Sequence, residues 1–327
     1  MKAVVRVESW PIRGGFRIAR GGRAAAEVVV VELHDEGSWG RGECVPYARY
    51  GESVDSVVAL IEASSAELDA VDAFAGVQSM PAGAARNALD CALWDLEAKQ
   101  SGRPAWAVAG LPSAPAPTHT MRTVSVGSAS EMKEAAARFG TAATIKVKVD
   151  GGSDLGRIAA VHEAAPGAKL IVDANEAWSI EQTQAWLPEL GRLGVAVLEQ
   201  PLHADDDAAL EDIEHVIPIC ADESFHDRSS FPNVENRYDM INVKLDKTGG
   251  LTEALACTAE AKQRGLPIMV GCMVSTSLAV EPALLLAADA AYVDLDGPLL
   301  LERDRDGALH DEAAGLLRAS PSIWGGG

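Results

Sequence analysis

The sequence predicts an α/β protein in which a TIM-type barrel follows a smaller α+β domain. From residue 119 onward, short apolar runs alternate with helical patterns at nearly even spacing. Eight parallel strands that alternate with helices close into such a barrel. A doubly wound sheet is the alternative, but it requires a glycine-rich phosphate turn after its first strand, which the sequence lacks. The candidate strands are 119–125, 144–149, 169–173, 195–198, 217–220, 240–245, 267–271 and 291–294.

Residues 1–116 form the predicted α+β capping domain, and residues 117–299 form the predicted barrel. The segment 12–23 is rich in Gly and Arg, which predicts a mobile loop. Residues from about 300 to 327 are expected to return to the capping domain and to end in a frayed triple glycine. Within the capping domain the predicted strands are 3–7, 26–33 and 39–43, and the predicted helices are 53–68 and 84–100.

The composition of the 327-residue chain narrows the classes of function. The net charge of −20 argues against nucleic acid, whose binding requires a basic face. The sequence contains no run of eighteen apolar residues and no recognisable signal peptide, so we expect neither a membrane span nor export. Five cysteines without CxxC spacing indicate a reducing compartment, and the cytoplasm is the expected location. A small molecule is the expected partner, and a homo-oligomer is compatible with the sequence.

Three predicted strands end in a carboxylate. Asp173, Glu199 and Asp222 follow apolar runs and lie roughly two dozen residues apart, which is the length of one strand–helix unit. Because the C-terminal ends of parallel barrel strands converge, we expect these side chains to meet. Three converging negative charges repel one another unless a cation lies between them. Oxygen ligands with open coordination positions favour Mg²⁺, for which Mn²⁺ can substitute.

Lysines occupy the inward face of two further strands. Lys146 and Lys148 alternate with apolar residues in 144–149, and Lys244 does so in 240–245. Since the apolar faces pack against helices, the lysines point into the barrel, where an unpaired lysine is costly. The second and sixth strands face each other, so Lys148 and Lys244 can flank one carbon as general acid and base, with nearby cations lowering the lysine pKa. Lys146 lies deeper and is placed to touch a substrate carboxylate.

A divalent metal ion with two opposed lysines suits one type of reaction. The metal and a nearby cation hold a substrate carboxylate and stabilise the enediolate that forms when the α-proton leaves. Removal of the proton from one face and its return to the other is racemisation or epimerisation. Use of one face alone gives β-elimination or cycloisomerisation.

Five motifs together make the chain resemble the muconate-lactonising subgroup of the enolase superfamily. The resemblance covers nearly the whole chain and implies a modified (β/α)7β barrel with an α+β N-terminal cap. It implies Mg²⁺ on Asp173, Glu199 and Asp222, with Lys148 and Lys244 as the acid–base pair. The motifs are Lys146-Val147-Lys148, Asp173-Ala174-Asn175, Glu199-Gln200-Pro201, Ala221-Asp222-Glu223-Ser224 and Asn242-Val243-Lys244.

Within that subgroup, the chain is most similar to the L-Ala-D/L-Glu (dipeptide) epimerases. The similarity rests on 244–250, on 271–273 and above all on Asp294-Leu295-Asp296-Gly297-Pro298. It implies that Asp294 and Asp296 bind the α-ammonium of the substrate and that Arg23 binds the glutamate side chain. Thr123 is a further substrate-binding candidate. The implied reaction is epimerisation of the C-terminal residue of a dipeptide from cell-wall peptide recycling.

Two alternatives stay open on the sequence. An o-succinylbenzoate synthase or N-acylamino acid racemase would use the same metal and lysines, but its substrate has no free ammonium for Asp294 and Asp296. A non-catalytic ligand-binding barrel belongs to a different class of protein. Such a binder would not need to keep Lys148 and Lys244 in place.

Overall fold

The computed structural model describes residues 1–66, 68, 72–311 and 315–326. The segment 12–23, predicted as a mobile loop, belongs to a long β-hairpin, so that prediction was wrong. Gly14 and Gly15 have positive φ and lie in a bulge, beyond which pairing resumes at Phe16. The glycines therefore bend the hairpin without ending it. The antiparallel sheet has the order β1–β2–β3, with β1 (Lys2–Ile18), β2 (Gly21–Asp35) and β3 (Ser38–Cys44).

Helix α3 packs across this sheet and is the longest helix of the N-terminal part. It approaches β3 closely because Gly40 and Gly42 have no side chains. A Cβ atom at either glycine would lie within 2.3 Å of a carbonyl oxygen of α3. The predicted helices 53–68 and 84–100 are confirmed, although the first ends at Ser65 and residue 67 lies outside the described residues. The helices in order are α1 (Val54–Ser65), α2 (Ala73–Gln78), α3 (Ala84–Ser101) and α4 (Ala105–Val108).

After the short strand β4 (Thr118–His119), eight strands form one parallel sheet in sequential order. The sheet closes where Met121 N–H donates to Val293 O at 2.9 Å. The predicted TIM-type barrel is therefore confirmed, with every strand within a few residues of its predicted range. The strands are β5 (Arg122–Val124), β6 (Thr144–Lys148), β7 (Lys169–Asp173), β8 (Val195–Glu199), β9 (Ile219–Ala221), β10 (Met240–Lys244), β11 (Ile268–Gly271) and β12 (Tyr292–Asp294).

The connections between strands are mostly α-helical, but the one between β8 and β9 is only the 3-10 helix Asp207–Asp212. This helix ends before Ile213, where the backbone is extended. Pro218 disfavours a helical conformation of residue 217, so a long helix does not fit in this connection. The α-helices are α5 (Ala129–Arg138), α6 (Asp154–Ala164), α7 (Ile180–Arg192), α8 (Phe231–Val234), α9 (Leu245–Thr248), α10 (Leu251–Arg264) and α11 (Ser277–Val280). Further 3-10 helices are Arg228–Ser230 before α8, Glu281–Asp289 after α11 and Gly297–Leu300 after β12, and Ala48–Tyr50 is one in the N-terminal part.

The last described residues pack on α3. Strands β13 (His310–Asp311) and β14 (Leu316–Leu317) first pair with β4. Trp324 is then buried, and its Nε1 donates to Cys91 O at 2.8 Å. Gly325 does not fray as predicted, because its N–H donates to Asp95 Oδ1 at 2.8 Å. Gly327 lies outside the described residues, and the domain boundaries at 116 and 299 stay predictions.

Apolar side chains fill the barrel interior below the strand ends. Ile171, Val197 and Cys220 are buried there, each two residues before an acidic residue. Since strand side chains alternate with period two, the acids face the same interior one step higher. Among the helices of the described ranges, none is long and apolar enough to span a lipid bilayer.

Candidate active site

Three carboxylates meet at the C-terminal end of the barrel. Asp173, Glu199 and Asp222 are buried, and each offers an oxygen within 4.8 Å of the others. Strand register explains the cluster, since Asp173 pairs with Glu199, and Glu199 pairs with Cys220, across neighbouring strands. Glu199 Oε2 is buried without a hydrogen bond, so an oxygen remains to accept a ligand. Three carboxylates fit a hard divalent cation.

The residues that follow the carboxylates fix their loops. Asn175 has a φ of 44°, and its N–H donates to Asp173 Oδ1 at 2.9 Å. Gln200 has a φ of 35°, and its Oε1 accepts the N–H groups of Asp222 at 2.9 Å and Ser224 at 3.1 Å. Positive φ is uncommon for residues other than glycine and persists where the surroundings enforce it. These hydrogen bonds tie the strand-end loops together and hold the acids in position.

Two lysines flank the cluster from opposite strands. Lys148 Nζ lies 2.5 Å from Asp173 Oδ2, and Lys244 Nζ lies 2.6 Å from Asp222 Oδ2. They project from β6 and β10, which are four strands apart in the eight-stranded sheet. The two ammonium groups therefore approach the carboxylates from opposite sides of the barrel.

Lys146 connects this cluster to a second pair of acids. Its Nζ lies 2.6 Å from Glu199 Oε2, without hydrogen-bond geometry, and 2.7 Å from Asp294 Oδ2. Asp296 Oδ2 accepts the N–H of Thr123 at 2.7 Å. Burial and the neighbouring Asp294 raise the pKa of Asp296 to about 6. The structure thus brings Thr123, Lys146 and the two aspartates together, while their roles in substrate binding stay predictions.

Lys247 is a fourth buried lysine, which the sequence analysis did not select. Its Nζ donates to Asp222 Oδ1 at 2.6 Å and to Asn242 O at 2.9 Å. Asp222 therefore carries a lysine on each carboxylate oxygen, since Lys244 contacts Oδ2. Lys247 lies in α9, beyond the strand, so strand alternation carries no signal for it. The contact of Lys247 with Asp222 becomes evident only in the folded structure.

Burial and charge pairing separate the pKa values of the three acids. Burial opposes ionisation of Asp173 and Asp222, but the adjacent lysines outweigh it and hold both pKa values below the ordinary value. Burial, together with the charge of Asp173, raises the pKa of Glu199 to about 7. The cluster as a whole therefore resists carrying three negative charges without a further cation.

The lysine pKa values differ from the expected lowering. Burial lowers the pKa of Lys244, but Asp222 outweighs it, so the pKa lies above the ordinary value. The pKa of Lys146 is raised well above the ordinary value because Asp294 and Glu199 overcome its burial. Lys247 is the lysine whose pKa is lowered, first by burial and then by Lys244. Asp222 lies 2.6 Å from Lys244 and accounts for this direction, and the lowering expected beside a bound cation stays a prediction.

The β1–β2 hairpin covers the cluster, and a cavity of about 400 Å³ lies between them. Arg20, in the hairpin turn, donates to Glu223 Oε1 at 2.6 Å and to Glu176 Oε2 at 3.0 Å. Arg23 also lines the cavity and lies over the Tyr47 ring, 5.1 Å from its centroid. The pairing of Arg20 with these two acids has no signal in the sequence, because both partners lie in loops far from it in the chain. Apolar side chains from the hairpin complete the lining, namely Ile12, Phe16, Ile18 and Ala26.

The chain matches two family models that together span most of its length. Residues 1–110 match the N-terminal domain of mandelate racemase / muconate lactonizing enzyme, and residues 128–313 match the enolase C-terminal domain-like model. The chain belongs to the enolase superfamily. Its capping sheet and eight-stranded barrel are the two parts that these models describe.

Curated relatives of this superfamily member are epimerases and racemases. The chain is 48% identical to L-Ala-D/L-Glu epimerase of Escherichia coli over 92% of this chain and 95% of that one. It is 41% identical to N-acetyl-D-glutamate racemase of Pseudoalteromonas over 91% and 95% of the two chains. The protein is therefore an isomerase that acts on amino acid derivatives.

Solved structures of the superfamily agree in the whole fold. An enolase family member from Agrobacterium tumefaciens, with bound sodium and L-Ala-L-Glu, matches with a TM-score of 0.96 at 45% identity and covers 99% of both chains. A dipeptide epimerase from Enterococcus faecalis, complexed with Mg and L-Leu-L-Tyr, matches with a TM-score of 0.91 at 27% identity over 99% and 98%. Neighbours in the superfamily thus bind Mg and dipeptides.

Proposed function

We propose that this protein epimerises dipeptides in a metal-dependent reaction and that L-Ala-D/L-Glu is its preferred substrate. The observation that carries the proposal is the opposed approach of Lys148 and Lys244 to one acidic cluster. Asp294 and Asp296 line the same cavity and favour a substrate with a free ammonium group over one whose nitrogen is acylated. A curated relative with this activity and a solved relative with bound L-Ala-L-Glu support the same assignment.

The proposed metal ligands are Asp173, Glu199 and Asp222, and the proposed ion is Mg²⁺, with Mn²⁺ as a substitute. The fit rests on their oxygens, which lie within 4.8 Å of one another, and on Glu199 Oε2, which accepts no hydrogen bond. When bound, the ion polarises the substrate carboxylate and offsets the charge of the enediolate. Lys146, in contact with this cluster, would add a second positive charge beside that carboxylate.

The proton transfer is assigned to Lys148 and Lys244. A neutral Nζ of one lysine removes the α-proton, and the protonated Nζ of the other donates a proton to the opposite face of the same carbon. Asp222 is the ion-pair partner of Lys244 and favours its charged form. A cation held by Asp173, Glu199 and Asp222 would offset the charge of these carboxylates and so weaken that preference.

The substrate's remaining groups have partners around the cavity. Asp294 and Asp296 would receive the α-ammonium, with Thr123 holding Asp296 in place through its N–H group. Arg23 faces the cavity and would bind the side-chain carboxylate of a C-terminal glutamate. These assignments favour a dipeptide from cell-wall peptide recycling. All five cysteines are unpaired, which supports the proposed cytoplasmic location.

Racemisation of an N-acylamino acid is the second candidate function. The observation that favours it is the 41% identity to an N-acetyl-D-glutamate racemase, whose named substrate has an acylated nitrogen. Such a substrate leaves Lys146 as the cationic partner of Asp294 and gives the neighbouring buried Asp296 none. A free ammonium group would supply a cation to both aspartates, so the free dipeptide is the better fit.

The test is solvent deuterium exchange in the presence of Mg²⁺. The protein is incubated in D₂O with L-Ala-L-Glu or with N-acetyl-L-glutamate, and the mass shift and the epimer ratio are followed. We expect incorporation of one deuterium and formation of L-Ala-D-Glu, with much slower exchange in N-acetylglutamate. The variant carrying both Lys148→Ala and Lys244→Ala should exchange neither compound. Faster exchange in N-acetylglutamate would favour the second function, and no exchange in either would overturn both.

A further inference from the structure

The segment that follows Lys244 is attached to the capping domain. Helix α9 begins at the residue after Lys244, and its Asp246 is only 6% exposed. Asp246 Oδ1 accepts Asn87 Nδ2 at 2.8 Å and Val45 N–H at 3.0 Å. Both donors belong to the N-terminal part of the chain, one on α3 and one just after β3. A single buried carboxylate oxygen therefore joins the cap to the end of β10.

The polar face of α3 continues this attachment along the same segment. Arg86 donates through Nε to Gly249 O at 3.1 Å and through Nη2 to Thr248 O at 2.5 Å. One turn later, Asp90 Oδ2 accepts the N–H of Thr252 at 2.9 Å. A Cβ atom on Gly249 would lie 2.2 Å from the Arg86 side chain, so the close approach requires glycine there. The contacts fix α9 and the backbone that follows it.

The loop that follows Lys148 is held in a different way. Asp154, in α6, accepts the N–H of Gly151 at 2.7 Å and Nε1 of Trp178 at 2.8 Å. All of these residues lie in the barrel. The two lysines on opposite faces of the site thus have separate supports, one from the barrel and one from the cap.

We propose that Asp246 and Asn87 are positioning residues for Lys244 and that they act on one of the two proton-transfer faces. The inference rests on the proposed function, in which Lys148 and Lys244 serve opposite faces. Because α9 starts directly after Lys244, a displaced α9 moves the end of β10 and the Nζ that it carries. A displacement of about 1 Å at a reacting group can cost about 100-fold in rate. Lys148 keeps its own support when this one is removed.

The experiment compares exchange from the two substrate epimers in D₂O with Mg²⁺. The epimer whose α-proton depends on Lys244 is first assigned with Lys244→Ala. Asn87→Ala and Asp246→Ala should then lower exchange from that epimer by about 10- to 100-fold. Exchange from the other epimer should fall far less, so the ratio of the two rates changes. Gln100→Ala, which removes a hydrogen bond from Nε2 of a residue on α3 to Asp35 within the N-terminal part of the chain, is the control and should keep the wild-type ratio.

Asp246→Asn separates positioning from charge. Asparagine retains an oxygen that can accept from Asn87 and Val45, so this variant should restore most of the wild-type ratio. If Asp246→Asn changed the ratio of the two exchange rates as much as Asp246→Ala does, the proposal would be overturned. Equal losses of exchange from both epimers in the alanine variants, or no loss from either, would also overturn it. If Asp246→Ala does not fold, Asn87→Ala decides the matter. Absence of exchange in the unmutated protein would instead refute the proposed function.

Discussion

Arg20 Nη2 lies 2.6 Å from Glu223 Oε1, and Glu223 directly follows the carboxylate of Asp222 in the chain. The turn of the β1–β2 hairpin is thus ion-paired beside the acidic cluster. Arg20 also donates to Asn175 O at 2.9 Å. Arg20 and Arg23 both contact Tyr47 and line the cavity. The guanidinium of Arg20 is ion-paired with Glu223 and Glu176, whereas that of Arg23 lies over the Tyr47 ring, and this difference separates their expected roles.

Arg23→Ala should lower kcat/KM for Ala-Glu about 10- to 100-fold more than for Ala-Leu, because a charge-assisted contact to the glutamate side chain is lost. Arg20→Ala is the matched comparison. It releases the hairpin from the barrel and should lower kcat/KM for both dipeptides alike. Steady-state kinetics on the two substrates checks both variants. Equal losses in Arg23→Ala, or a loss specific to Ala-Glu in Arg20→Ala, would contradict this assignment.

Replacement of either flanking lysine should affect one epimer selectively. Lys148→Ala should remove α-proton exchange of one epimer, and Lys244→Ala that of the other, each by about 100- to 10,000-fold. The measurement is the rate of deuterium incorporation from each pure epimer of Ala-Glu. If either variant still interconverted both epimers at the wild-type rate, the two-face mechanism would be wrong.

Asp294→Asn and Asp296→Asn should each lower kcat/KM for Ala-Glu by about 10- to 100-fold, since a charge-assisted contact to the substrate ammonium is removed. An N-acetylated substrate carries no ammonium group, so the activity of each variant on it should change little. The comparison therefore uses the free and the acetylated substrate with each variant. The idea fails if the unmutated protein converts the N-acetyl compound as well as the free dipeptide.

Removal of divalent metal should abolish exchange and lower the unfolding temperature, and Mg²⁺ should restore both. The physical reason is that an ion bound only by the folded state stabilises it, by about 2.7 kcal/mol at a concentration 100 times its Kd. Calorimetry of the chelated protein against Mg²⁺ concentration measures the effect. Glu199→Gln should lose most of the shift, whereas Glu163→Gln, at an exposed carboxylate, should retain it. If Mg²⁺ raised the unfolding temperature of Glu199→Gln as much as that of the wild type, Glu199 would not be a metal ligand.

Glu281 should make the protein less stable as the pH rises from about 4 to 8. Burial raises its pKa to about 8 in the folded state, and its Oε1 accepts Ser320 N–H. The unfolded chain releases this proton near pH 4.3, so between the two pKa values the folded state binds more protons and loses stability with rising pH.

Glu281→Gln retains an acceptor for Ser320 and cannot ionise. Above pH 8 it should exceed the wild type by roughly 3 to 5 kcal/mol in the free energy of unfolding, and at pH 4 by little. Urea unfolding at several pH values measures the difference. Parallel stability curves for the two proteins would show that Glu281 does not titrate as described.

The barrel and its inward-facing side chains could be predicted from the sequence, because successive side chains of a strand point to opposite faces of the sheet. Lys146, Lys148 and Lys244 follow from that rule alone, and Asp173 follows from its place at a strand end. Lys247 does not, since it lies on a helical turn after the strand. Its contact with Asp222 depends on how α9 packs.

The capping domain was harder to predict at its edges. The segment 12–23 has the composition of a loop, yet a bulge lets it continue as paired strands. Gly325 has no sequence signal for order, because its N–H partner Asp95 lies on a helix far away in the chain. Arg20 is one of several arginines in the hairpin, and only the fold brings it to Glu223. Contacts between distant segments decide these features, and local pattern carries little of that information.

The register of the barrel strands has a consequence for refolding. Lys148 pairs with Asp173, and Asp173 with Glu199, along the backbone ladder of adjacent strands. A strand that paired one residue out of register would turn its acidic side chain outward among the helices. Such a misassembled barrel would lack a complete ligand set and could not take up the cation. If Asp173, Glu199 and Asp222 bind Mg²⁺ as proposed, the fraction of refolded protein that binds Mg²⁺ measures how many molecules have correctly paired strands.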